Sequence, residues 1–242
     1  MLPHIFAPAG ISELAENCKE VLLPEVSEIP FIFLPGVKNS VKEWTLDEIG
    51  AIDVMRGEET EFIGIQKLCG LQKPMLAVLP GSHTKLIVSD GVKIQSCHTS
   101  ITGEFIGAIA ENTILKNALP AFLYGEMDLD YLRRGCRYGM KNGVNQALFR
   151  LRMMQMFFDC TDAQRVGFFF GVVLAGDVQM ICAHDKGQDI VIGGPEPLRS
   201  ALAELLAEYC AGPIRKLTDD EVERCVSVGA LAIVQARSGN QK

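Results

Sequence analysis

The chain is 242 residues long, 48% hydrophobic and 22% charged, which is enough apolar sequence to bury a core in one large domain or two small ones. Its formal net charge of −7 argues against a general nucleic-acid binder, while an anion site built from local donors or a metal stays open. The eight cysteines form no CxxC pair and no ligand spacing with the four histidines, so buried free thiols in a reducing compartment are expected.

The opening "MLPHIFAPAG" has no basic region ahead of an apolar run, so no signal peptide is read there. "PAGISELAENCKEVL" predicts an amphipathic helix with Ile11, Leu14, Ala15 and Cys18 on one face. "IPFIFLPGV" predicts a buried strand closed by Pro35-Gly36. "DVMRGEETEFIGIQKLCG" predicts a turn entering a helix, with Phe62, Ile63 and Leu68 inward and Gly70 as its stop.

Three short strands follow near 75–79, 84–88 and 92–97, joined by a "PGSHT" tip and an Asp90-Gly91 turn. "SITGEFIGAIAENTILKNAL" reads as a helix in which Ile101, Phe105 and Ile109 repeat every fourth position. Residues 128–182 are dense in Leu, Met, Phe and Arg without strand alternation and read as a group of helices. Their richest stretch, "VGFFFGVVLAG", reads as too short and too glycine-broken to span a bilayer, so a cytoplasmic protein without a membrane partner is expected. "DIVIGG" is a buried strand, "PEPLRSALAELLAEYC" a helix stopped by Gly212-Pro213, and "PIRKL" a short strand. Thr218 and Glu221 then make a capping box for the last helix. From Met75 onward the order is three strands, helix, helical insert, strand, helix, strand, helix, which predicts an α/β sheet with helices on its faces.

Three segments could carry chemistry. In "PGSHTK", Gly81 lets backbone approach a ligand, successive N–H groups can form an anion nest, and Ser82, Thr84 and Lys85 add donors; a plain polar turn is the alternative. In "DVMRGEET", Asp53, Glu58 and Glu59 stand at a helix start, either as ordinary caps favoured by the helix dipole or as a base accepting a substrate proton. "IVIGGPEP" ends a strand in Gly193-Gly194 and opens a helix, suiting close approach of a nucleotide or a simple loop. Asp177 in "LAGDVQ" reads as a helix-end residue.

Together "APAGISELA", "PGVKN", "DVMRGEETEFIG", "LPGSHTKLI", "TGEFIGAI", "LFRLRMM" and "IGGPEPLRSAL" resemble the 2-dehydro-3-deoxygalactonokinases, sugar-acid kinases of the actin/hexokinase-like superfamily. The resemblance implies an actin-like ATPase (ribonuclease-H-like) C-terminal lobe over 51–242 with a helical insert, and a partial sugar-binding N-terminal lobe over 1–50. It implies ATP and Mg²⁺ in the cleft between two such lobes. Gly81, Ser82, His83, Thr84 and Lys85 would line the phosphates, and Gly193 and Gly194 the adenosine. Glu58 would be the base, with Glu59 and Asp53 as rivals, and the substrate a small sugar acid, 2-dehydro-3-deoxy-D-galactonate. No "DxGT" phosphate motif occurs in the chain, so roughly the opening quarter of the kinase is expected to be absent. That loss would leave a surface for a homo-oligomer, or for a partner supplying the segment. A non-catalytic nucleotide- or partner-binding remnant is the second expectation.

Overall fold

The computed structural model describes residues 3–239. Its elements are β1 (Ile5–Phe6), α1 (Ile11–Glu16), β2 (Lys19–Val21), β3 (Phe31–Phe33), β4 (Val37–Lys38), β5 (Val54–Met55) and α2 (Glu58–Cys69). There follow β6 (Met75–Leu79), β7 (Thr84–Ser89), β8 (Ile94–Ser100), α3 (Thr102–Asn112), α4 (Leu129–Asn142), α5 (Val144–Phe157) and α6 (Asp162–His184). The chain ends in β9 (Asp189–Ile192), α7 (Leu198–Tyr209), β10 (Ile214–Lys216) and α8 (Asp219–Gly239). From β6 onward this is the expected order. One sheet runs β10-β9-β6-β7-β8, with β9 and β10 parallel and Ile190 facing Ile214.

Before β6, α2 is as expected, with Phe62 and Ile63 buried and Gly70 as its stop, but the segments ahead of it differ. The first helix stops at Glu16, where Asn17 donates to Glu13 O at 2.9 Å, and the chain turns extended as β2. β3 is an exposed strand, not a buried one: it pairs only with β2, in a two-stranded hairpin with Val21 opposite Phe31. A third small sheet joins β1, β4 and β5.

The chain packs as two compact units. The first takes in residues up to 77, then 85–98 and the segment from 217 onward; the second takes in 78–84 and 99–216. The first is built on α2 against α8. A Cβ on Gly64 would lie 1.7 Å from Cys225 O, and one on Gly229 would lie 1.9 Å from Thr60 O, so the two helices touch backbone to backbone. Thr218 and Glu221 cap α8 reciprocally, at 2.9 and 3.2 Å. The second unit is built on α4 against α6, where a Cβ on Gly171 would lie 2.0 Å from Leu132 O. The glycines of α6 therefore serve close helix packing and do not break it. At 23 residues α6 is long and apolar enough to cross a membrane by length and composition, longer than its apolar stretch suggested. Most of that apolar window, 72%, is buried inside the protein.

Gly229→Ala puts a methyl group into the Thr60 carbonyl, and the helices must separate to accept it. We expect a loss of about 1–3 kcal/mol, read as a lower urea midpoint with unchanged slope. A midpoint at the parent value would show that α2 and α8 can part without cost.

Candidate functional site

The residues singled out in the sequence fall into two groups, one in each unit. In the second unit, Pro80–His83 form the tip between β6 and β7. Gly193 N donates to Val78 O at 2.9 Å. Gly194, at φ +74, lies so close that a Cβ would be 2.2 Å from Pro80 O. At the start of α3, Glu104 N donates to Ser82 O at 3.0 Å, and a Cβ on Gly103 would be 2.2 Å from Gly81 O. Backbone therefore holds the tip at two places, with no room for a side chain at either.

Gly81 differs from these glycines. A Cβ there would meet only His83 O, at 3.4 Å, which is ordinary contact, so its missing side chain leaves open space. A cavity of ≈ 430 Å³ lies there, lined by Gly81, Ser82, Gly103, Glu104, Tyr124, Pro195, Glu196 and Leu198, within the range of small-ligand sites. Ser82 and His83 are exposed, and His83 Nε2 lies 3.1 Å from Glu104 Oε1. Burial works against the charge of Glu196, yet the Ser200 and Arg199 donors hold its carboxyl below the usual range.

Behind the tip the structure shows a residue that the sequence reading passed over. Asp177 is no helix-end residue; it lies inside α6 and is 2% exposed. Ser100 Oγ donates to its Oδ1 at 2.5 Å and Thr102 Oγ1 to its Oδ2 at 2.7 Å, tying α6 to the end of β8 and the start of α3. The buried Thr84 hydroxyl, which has no other partner among the described residues, is close enough to favour that carboxylate's charge as well. Burial nevertheless dominates and raises the Asp177 carboxyl above its ordinary 3.8. A lone acid inside "GFFFGVVLAGDVQM" was the available signal, because a charge in an apolar helix needs partners.

In the first unit, Gly57 N-caps α2 at φ +113 and donates to both Glu59 carboxylate oxygens at 2.9 Å. Glu59 is buried, and desolvation raises its carboxyl. Glu58 accepts from Arg56 N at 2.9 Å and remains partly open to solvent. Asp53 accepts from Val54 N at 2.7 Å and lies 3.6 Å from Lys85 Nζ, which also donates to Val54 O. Lys85 thus joins Asp53 and not the hairpin tip. Successive strand residues point to opposite faces, so Thr84 belongs with Asp177 and Lys85 with Asp53. Asn39, also unremarked in the sequence, closes this region. Its amide donates to Ala51 O and Cys97 O at 3.0 and 2.9 Å and accepts from Cys97 N at 2.8 Å, so both ends of a buried amide are satisfied. Among the described residues no three His, Cys, Asp or Glu side chains converge in a metal-binding group.

A solved structure shares this fold: a protein from Sinorhizobium meliloti, provisionally named a 2-dehydro-3-deoxygalactonokinase. It matches with a TM-score of 0.79 at 22% identity, over 97% of this chain and 74% of its own. The family model described as 2-keto-3-deoxy-galactonokinase matches residues 1–230, and the chain belongs to that family. The 2-dehydro-3-deoxygalactonokinase of Escherichia coli is 27% identical over 195 residues, covering 79% of this chain and 60% of its own length. A probable 2-dehydro-3-deoxygalactonokinase of Rhizobium meliloti is 29% identical over 116 residues, covering 48% of this chain and 34% of its own length. The matches thus span a third to three fifths of the curated relatives' lengths.

The raised Asp177 carboxyl gives a pH prediction. A group whose folded pKa is raised holds its proton more tightly in the folded chain. It contributes stability that is full below 3.8 and lost as pH rises through the folded value. Asp177→Asn, which cannot titrate, should flatten the pH dependence of the thermal midpoint above 3.8. A variant whose curve stays parallel to the parent's would show that this carboxyl does not titrate differently on folding.

Proposed function

We propose that the chain binds ATP at the β6–β7 hairpin tip and belongs to an ATP-dependent kinase acting on 2-dehydro-3-deoxy-D-galactonate. Family membership supports the phosphotransferase class. The observation that carries the nucleotide reading is the backbone-held tip beside an open cavity of ≈ 430 Å³. Exposed Ser82, His83 and the tip's N–H groups are the donors proposed for phosphate, while Thr84 is buried beneath the tip. Gly193 and Gly194 bring backbone up to the tip, where an adenosine would lie along Pro195 and Tyr124. The actin-like description of the lobe rests on the element order and on the resemblance.

Among the three carboxylates we assign the base to Glu58. Glu59 is buried and gives both oxygens to Gly57 N, and Asp53 is engaged with Lys85, whereas Glu58 is partly open and has one backbone donor. A partly exposed carboxylate can accept the proton of a sugar hydroxyl as that oxygen attacks the terminal phosphorus. Mg²⁺ commonly binds through phosphates, waters and one or two carboxylates, so a protein cage is not required. Glu104 at the cavity is the carboxylate whose chemistry fits. When bound, the ion would neutralise phosphate charge. A cytoplasmic location follows from the proposed use of ATP.

The partner is proposed from the first unit's surface. Large apolar side chains there are exposed, among them Phe6, Ile29 at 75%, Phe33, Trp44, Leu46 at 84% and Ile49. Isolated exposed apolar residues are ordinary, but so many within one stretch of about 45 residues support a surface that is covered in the working protein. The relatives are longer than the part matched, so we assign the cover to a further segment of the same kinase fold. The same surface favours the second reading, a nucleotide-binding unit that does not turn over by itself.

The direct assay is phosphoryl transfer from ATP-Mg²⁺ to 2-dehydro-3-deoxy-D-galactonate by the purified chain. Glu58→Gln should lower turnover by roughly 10²–10⁴-fold with ATP affinity retained. Gly81→Val should keep the fold and abolish ATP binding by calorimetry, because its side chain enters the cavity. Near-normal turnover in the first variant removes Glu58 as base, and parental ATP affinity in the second removes the tip as the phosphate site. Well-folded parent protein that binds ATP without turnover selects the second reading.

The covering segment has its own test. Co-expression with the unmatched length of the E. coli relative should yield a complex whose binding of a hydrophobic dye falls well below that of the chain alone. Dye binding unchanged, with no complex formed, would reject that assignment.

A further inference from the structure

Cys182 lies in the last turn of α6, and Cys210 directly follows α7. They are 28 positions apart in sequence, yet their sulfurs stand 3.1 Å from each other, both as free thiols. A disulfide needs about 2.05 Å, so roughly one ångström separates this pair from a bond.

The approach has a specific cause. Asp185, three residues past Cys182, accepts from Ala211 N at 2.6 Å and Gly212 N at 3.4 Å through Oδ2, and from Gly187 N at 2.8 Å through Oδ1. Asp185 N in turn donates to Cys182 O at 3.2 Å. One carboxylate therefore clips the residues just after Cys210 onto the turn just after Cys182. Gly212 sits so tightly there that a Cβ would be 2.0 Å from Gln188 O. Both thiols are only partly buried, unlike Cys97, Cys136 and Cys225, which are enclosed in the core.

We propose that Cys182 and Cys210 form a reversible dithiol–disulfide pair, a site for small disulfide oxidants that staples the β9–α7 segment at its base. The oxidant is a low-molecular-weight disulfide such as glutathione disulfide. The Cys182 thiolate attacks one of its sulfurs, forming a mixed disulfide and releasing one glutathione thiolate. Cys210 then attacks Cys182 Sγ, forming the intramolecular bond and releasing the second thiolate. Two protons leave the protein and two electrons pass to the oxidant. Burial, and then Cys182 beside it, raise the Cys210 thiol, so Cys210 takes the second, intramolecular step, where the sulfur it attacks is already in contact and its proton passes to solvent. The closed loop would contain β9, Gly193-Gly194 and the whole of α7. The proposal does not depend on what binds at the hairpin tip.

The test uses the reduced full chain treated with glutathione disulfide, then alkylation of the remaining thiols and digestion without reductant. The expected product is one linked peptide joining Cys182 to Cys210, with the chain lighter by two hydrogens and the link reversed by dithiothreitol. The oxidised chain should melt higher by roughly 5–15 °C. In Cys182→Ser and in Cys210→Ser the link should be lost. Two results would overturn the pair: glutathione persisting on Cys182 or Cys210 without closure, or links among other cysteines in equal yield. A melting point no higher than that of the reduced chain would overturn the staple. No nucleotide or sugar acid enters the assay, so it reads the thiols alone.

Discussion

The hairpin tip at Pro80–His83 is held by backbone packed on backbone, and much of the second unit is arranged to allow it. Gly194 approaches Pro80 and Gly103 approaches Gly81 at distances that admit no Cβ. Contact of this kind fixes a loop without using its side chains. Ser82 is left exposed, His83 is engaged at its ring edge with Glu104, and the Gly81 face is left open to a cavity. A tip held by its own side chains would have spent those groups on the fold.

Charge placed inside apolar surroundings explains a second layer of the design. Asp177 stands in the long apolar helix α6, and Ser100 and Thr102 donate to it there. An ionised carboxyl in such a place is costly unless hydrogen-bonded, and once bonded it joins three elements at one point. Lys85 and Asp53 make a similar partly buried contact in the first unit. Glu59 spends its carboxylate on the cap of α2, which separates it in role from its neighbour Glu58.

The two units differ in how well they cover themselves. The second has α6 enclosed on most of its surface. The first combines a close α2–α8 core with two- and three-residue strands whose Phe, Ile and Val side chains meet solvent, as do Trp44 and Leu46 in the connections. Strands this short bury little area on their own and gain stability mainly from neighbours. The matched relatives extend beyond the length shared with this chain.

The sequence by itself determined the elements from Met75 to the end of α8. Their periodicity, the Asp90-Gly91 turn, the glycine stops and the Thr218–Glu221 box are all local, and local signals survive without knowledge of the fold. It also singled out two segments that the fold brings together, Gly81 and Gly193-Gly194, because glycines there are conspicuous in any strand-turn context. Only the tertiary structure decided what each side chain does. Thr84 and Lys85 are adjacent in "HTK", and strand alternation sends one toward Asp177 and the other toward Asp53. Asn39, Asp177 and the Cys182–Cys210 pair find partners 58, 75 and 28 positions away, and no local pattern encodes such distances. The strand "FIF" reads as buried because its residues are apolar. It is exposed because among the described residues it pairs only with β2, and burial is a property of neighbours as much as of composition.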